Sequence, residues 1–195
     1  MAALKELTGS ARERLLAAAD ELFYSEGVQT VGIDRIIERA GVAKASLYNA
    51  FGSKEALVRA YLDGRRDSLV ARIEKAIASG ATPRESILAI FASQAEVMRR
   101  PTFRGCAFMA ATAEAPRGGQ VEAATDDYRA WFRARLTSLC TELGATDPAA
   151  LAVQLQLIYD GATASARMDR TDAPGIAAQA AVASLLDAAV PPKRR

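Results

Sequence analysis

A chain without histidine cannot build a Ser-His-Asp triad or a Cys-His nucleophile pair, and these 195 residues contain none. Zinc sites that use imidazole are excluded with them. The two cysteines, Cys106 and Cys140, have no metal-ligand spacing and are too few for an all-cysteine site, so no metal is expected. In a reducing compartment both are expected as free thiols, and Cys106 has no evident activating base. The acidic residues show no inward-facing pair that would suggest acid–base chemistry. The chain is expected to bind rather than catalyse, with no catalytic residue and no cofactor.

Polar groups set into apolar stripes are the next candidates. Gln94 shares a helical face with Ile87, Ile90, Phe91 and Met98, and Arg135 falls beside Trp131 and Phe132. A buried polar group needs a partner, so each either pairs in the core or faces a cavity. The aromatic and methionine set around them comprises Phe91, Met98, Phe103, Phe108, Met109, Tyr128, Trp131 and Phe132. Such a set makes plain core or lines an apolar pocket. Further on, Gly161, Ala162 and Ser165 belong to a cluster of small residues that lets two helices approach closely.

The elements that must position these residues read as helices. Half of the chain is apolar and alanine is abundant, which favours helix and a sizeable core. No apolar run approaches the roughly 18–20 residues that cross a bilayer. The start, MAALKELTGSARERLL, lacks the apolar segment of a secretory signal, so a cytoplasmic protein without a membrane partner is expected. A net charge of +2 says nothing about nucleic acid.

Ser10 and Glu13 form a capping box for a helix over 10–26, with Gly27 as its stop. A short helix follows over about 31–40, with Thr30 as its expected N-cap. Gly41 breaks it, and a third helix spans about 44–51. Two short amphipathic helices around a tight glycine turn form a helix-turn-helix pattern. Ser53 caps a long helix that runs to about 79. Thr82-Pro83-Arg84-Glu85 opens the next, which Pro101 stops. Further helices are expected over about 103–115, 120–143, 148–168 and 172–189. The fold class is therefore all-α, with about nine helices and no convincing strand.

The segment TVGIDRIIERAGVAKASLYNAFGSKEAL, from Thr30 to Leu57, resembles the DNA-binding head of the TetR family of transcriptional regulators. The matching positions are Ala40, Gly41, Val42, Lys44, Leu47, Tyr48, Phe51, Ser53, Lys54, Glu55 and Leu57. The resemblance implies a helix-turn-helix domain over 1–56, with its motif at about 32–51, on a ligand-binding and dimerisation domain over 57–195. It implies a ligand-responsive regulator, most simply a repressor, that binds a palindromic operator as a homodimer and is released by a small, mostly apolar effector. The alternative is a helical interaction or scaffold module without DNA readout. The chain departs from the family pattern at Ala43, Ala45, Asn49 and Ala50, which bears on the operator sequence rather than on DNA binding.

The implied DNA-contacting residues are Thr30, Lys44, Ala45, Ser46, Tyr48, Asn49 and Lys54. Lysine suits phosphate, asparagine can read a base edge, and residues at helix starts sit beside free N–H groups that favour phosphate. Ser46 can donate to phosphate or base, or lie on the surface. The implied effector site takes Phe91, Gln94, Met98, Phe103, Phe108, Met109, Tyr128, Trp131 and Arg135, with Arg135 either meeting an acidic ligand or tied to a carboxylate such as Asp160. The implied dimer interface includes Gly161, Ala162 and Ser165 on the eighth helix. Over 1–57 there are seven Lys and Arg against eight Asp and Glu, so attraction to DNA would have to be local, with the acids facing away.

Overall fold

In the computed structural model, residues 9–190 are described and the order is helix after helix. These are α1 (Ala11–Glu26), α2 (Ile33–Ala40), α3 (Lys44–Phe51), α4 (Lys54–Ala78), α5 (Pro83–Met98), α6 (Ala107–Glu114), α7 (Gln120–Leu143), α8 (Pro148–Asp169) and α9 (Ala173–Ala189). No strand occurs among the described residues.

Side-chain caps set several of the starts. Ser10 accepts from the Glu13 N–H while Glu13 accepts from the Ser10 N–H, and Thr82 and Glu85 repeat the arrangement at α5. Ser53 Oγ accepts from the Ala56 N–H at 3.1 Å at the head of α4. Two expected boundaries move. Gly32, not Thr30, is the N-cap of α2, and no side chain bonds there. The sixth helix begins at Ala107, so Phe103 lies in a turn, closed by its N–H donating to the Arg100 carbonyl at 2.9 Å. Gly105, at φ +93°, follows in that connection and delays the helix.

The chain gathers into two compact units. One takes the chain up to Arg66 together with Ala107–Asp126; the other takes Asp67–Cys106 with the chain from Asp127 on. In the first unit α1 packs on α2 and α3, and Leu15, Ala19, Val31, Ile36, Ala40, Leu47, Leu57 and Leu62 are fully buried. Phe23 meets Tyr61 edge to face at 5.5 Å. In the second unit α9 packs on both α5 and α8. Gly175 permits that approach, because a Cβ there would lie 2.9 Å from Ala95 Cβ and 2.9 Å from Met98 Sδ. Phe91, Phe132, Leu136, Leu155 and Val182 fill this core. No helix among the described residues is long and apolar enough to cross a membrane.

Candidate nucleic-acid interface

α3 is eight residues long and buries one side chain, Leu47. That single anchor leaves Lys44, Ala45, Tyr48 and Asn49 exposed, with Ser46 half-buried. Positions 44, 45, 48 and 49 fall on one face at helical spacing. The face is aimed by the turn before it. Gly41 sits in the left-handed region (φ 61°, ψ 44°), its N–H donates to the Glu38 carbonyl at 3.1 Å, and the Val42 N–H donates to that of Ile37 at 3.3 Å. As expected from Ala43, no side chain caps α3, which leaves its first N–H groups available to an anion.

Tyr48 is 45% exposed, a large ring turned to solvent. Lys44 Nζ donates to Asp34 Oδ1 at 2.9 Å, a bond that raises the Lys44 pKa. Both side chains are largely exposed, so phosphate can take the ammonium in exchange. The acids of this unit do not face away from its bases. Arg35 forks onto Glu26, Arg39 meets Glu21 at 2.6 Å, and Arg65 meets Asp20. Within the described part of 1–57, Arg35, Arg39 and Lys44 are thus each paired with an acid.

Thr30 is exposed in the turn before α2. Lys54 Nζ lies 3.5 Å from the Gln29 carbonyl, so the structure brings this turn and the start of α4 together. Two intrachain contacts beside these residues escaped the sequence reading. Arg12 stacks over the Phe51 ring at 4.9 Å, beside the end of α3. Glu114, at the end of α6, accepts from the Gln29 N–H at 2.8 Å and holds the turn that carries Thr30. Eighty-five residues separate these partners, and no local pattern announces them.

The model of the bacterial regulatory proteins, tetR family, matches residues 15–61, which contain this helix-turn-helix. A TetR-family transcriptional regulator from Streptomyces coelicolor, SCO4454, has a solved structure that superposes with a TM-score of 0.89 at 34% identity, over 93% of this chain and 96% of that one. The chain belongs to the TetR family. Among curated relatives, the HTH-type transcriptional activator FasR of Mycolicibacterium smegmatis is 38% identical over 78 residues, 40% of this chain and 36% of FasR. The HTH-type transcriptional repressor KstR2 of Mycobacterium tuberculosis is 34% identical over 89 residues, 46% of this chain and 44% of KstR2. The matches thus span about a third and under half of those two relatives. This TetR-family chain is an HTH-type transcriptional regulator, and its relatives include both an activator and a repressor.

The residues expected to meet an effector are distributed over both units. Phe108, 3% exposed, and Met109, 42% exposed, belong to α6 in the first unit. The others lie in the second. There Phe91 meets Tyr159 at 5.7 Å, Phe132 meets Tyr159 at 4.8 Å, Tyr128 stacks on Phe132 at 6.1 Å, and Trp131 on Phe132 at 6.3 Å. Tyr159, not singled out from sequence, is the centre of the cluster. Its hydroxyl accepts from Arg72 at 2.8 Å, and burial raises its pKa as it does that of Tyr128. Gln94, 4% exposed, donates through Nε2 to the Tyr159 carbonyl and to Thr163 Oγ1, both at 2.7 Å. Its Oε1 is buried without a partner. Arg135 meets Glu74 at 2.9 Å, whereas Asp160 is taken by Arg129 at 2.7 Å, so the suggested Arg135–Asp160 pair is replaced.

On α8, Gly161 is exposed and Ser165 half-buried. Ala162 is only 7% exposed and packs within its own chain, because it shares the inward face with Leu155, Tyr159 and Ala166. Val153, Leu157 and Met168 are exposed on α8, as is Ile176 on α9. The first three continue through Gly161 as one stripe at helical spacing.

Proposed function

We propose that this regulator binds a palindromic DNA operator as a homodimer, in the cytoplasm, and that a small, mostly apolar effector releases it, so that it acts as a repressor and not as an enzyme. The observation that carries the DNA reading is the exposed row Lys44, Ala45, Tyr48 and Asn49 on a helix anchored by Leu47 alone. A helix so presented can enter a major groove, with Asn49 at base edges and Lys44 and Lys54 at phosphates. Thr30, Ser46 and Tyr48 would add hydroxyl contacts to the backbone.

The homodimer reading rests on the apolar stripe of α8. Leu157 and Met168 are each 71% exposed, an arrangement that a second copy would cover. Gly161 and Ser165 lie on or beside that stripe. The effector reading rests on Gln94. Thr163 Oγ1 donates to the Tyr159 carbonyl at 3.0 Å, so it can only accept from Gln94, which fixes the amide with Oε1 free. An effector reaching that atom must donate a hydrogen bond. It would be a mostly apolar molecule with a hydroxyl or N–H group, set among Phe91, Met98, Phe103, Tyr128 and Trp131, and Arg135 stays engaged with Glu74. An aqueous operator-selection experiment with the purified full-length chain tests the proposal. Enrichment of one inverted repeat is expected, and enrichment of no sequence would leave the scaffold reading in its place.

A further inference from the structure

The second unit carries a cavity of about 610 Å³ at the C-terminal ends of α5 and α8, which shares only Met98 and Phe103 with the residues proposed around the apolar effector. We propose that this cavity binds a small organic anion with at least two negative charges on phosphate or carboxylate groups. Five arginines line it, namely Arg99, Arg100, Arg104, Arg167 and Arg170, against the single carboxylate of Asp172. Guanidinium is the side chain best shaped to hold carboxylate or phosphate in a forked pair.

Part of this positive charge is already answered within the chain. Arg99 bonds Asp172 at 2.9 Å and Glu96 at 2.6 Å. Arg104 donates to the carbonyls of Pro101 and Phe103, each at 2.8 Å. The guanidinium groups of Arg100, Arg167 and Arg170 have no partner among the described residues. Arginines also collect at helix C-termini to offset the dipole. Two helix ends together supply only about one negative charge, which leaves the three unpartnered guanidinium groups of Arg100, Arg167 and Arg170 in excess of it. That excess sets the charge of the ligand.

The wall is built rather than incidental. The Arg99–Asp172 bond ties the end of α5 to the start of α9. The connection before α6 runs along the Arg167 stem, where a Cβ at Gly105 would lie 3.4 Å from Arg167 Cβ. Arg170 is held in the left-handed region (φ 58°, ψ 38°), with its N–H on the Ala166 carbonyl at 3.1 Å. It is the non-glycine residue with positive φ among those described. A conformation that arginine rarely adopts here turns its side chain to a cavity already rich in arginine. Met98, Pro101 and Phe103 give the same cavity an apolar side, which suits the carbon portion of an organic anion.

Calorimetry of the full chain without DNA tests this, with inorganic pyrophosphate, phenyl phosphate and succinate as separate probes at low salt. At least one is expected to bind once per chain, and the tighter class assigns phosphate or carboxylate. The combined variant R100Q/R167Q/R170N should weaken that binding at least about tenfold, since each lost charge-assisted bond carries about that factor. Asparagine at 170 keeps the left-handed backbone. Arg117→Gln, on the exposed chain of the other unit, should bind as the parent does. If the combined variant fails to fold by thermal unfolding, Arg100→Gln and Arg167→Gln alone should each still weaken the probe. Equal affinity in parent and variants, or no binding by any of the three probes, overturns the proposal. Binding that survives the combined variant and disappears with Lys44→Ala places the anion on the DNA-binding face and overturns it as well. None of these readings requires operator binding or release.

Discussion

α3 and α8 answer opposite demands. α3 buries one of its eight residues and leaves most of its polar side chains in water, while α8 buries Leu151, Ala152, Leu155, Gln156, Tyr159, Ala162, Thr163 and Ala166 among its 22. A short helix held by one leucine and a glycine turn can change its outward residues at little cost in stability. A long helix whose polar groups bond inside the unit cannot. Gln94, Thr163, Arg72 and Tyr159 form one hydrogen-bonded set around an aromatic cluster. DNA specificity would thus be separable from stability, whereas effector specificity would be bound up with it.

The largest expected effect is in the aromatic cluster. Phe132→Ala removes a fully buried ring in contact with Tyr128, Trp131 and Tyr159. Chemical denaturation should show a loss of about 3–5 kcal/mol; a loss comparable to that of an α3 surface variant would break the contrast. Next is Leu157→Arg, at a 71% exposed position. It should leave the unfolding temperature close to the parent's and shift sedimentation from dimer to monomer. Ala162 is unsuited to that test, because a bulky charge there would enter the chain's own core.

Asn49→Ala should leave stability unchanged and alter which operator is preferred, by about 1–3 kcal/mol of discrimination. A uniform loss across operators would make Asn49 a phosphate contact instead. Gln94→Met removes two hydrogen bonds but also a buried acceptor without a partner. These oppose one another, so a net cost of no more than about 1–1.5 kcal/mol is expected, together with weaker binding of effectors that donate a hydrogen bond. The smallest effect is Lys44→Ala, which should lower the salt slope of DNA binding by about 0.9 without moving the unfolding midpoint. An unchanged slope would remove Lys44 from the interface.

The legible part of the molecule was local. The capping boxes at Ser10 and Thr82, the stop at Gly41 and the 3.6-residue spacing of Leu15, Ala19, Leu22 and Phe23 each act within a turn or two of helix, so the nine helices among the described residues could be read from the chain. The run from Ala40 to Leu57 carried enough of a family pattern to identify the fold. Errors arose where two local signals competed. Thr30 looked like an N-cap, but Val31 is fully buried and the chain turns once more before Gly32 begins α2. Phe103 was the expected start of the sixth helix, yet the turn at Arg100 and the positive φ of Gly105 hold it outside α6.

Sequence alone determined the absence of histidine chemistry, the all-helical class, and which residues of α3 share one face, because composition and helical periodicity are properties of the chain itself. Tertiary structure decided the partners. It set Arg135 on Glu74 rather than Asp160, turned Ala162 inward, placed Tyr159 at the centre of the aromatic cluster, and joined Gln29 to Glu114 across 85 residues. It also gathered five arginines from the end of α5, the connection after it and the end of α8 around one cavity. The reason is physical. A hydrogen bond, an ion pair or a close ring contact depends on a few ångströms between residues far apart in sequence, and those separations exist only once the helices have packed.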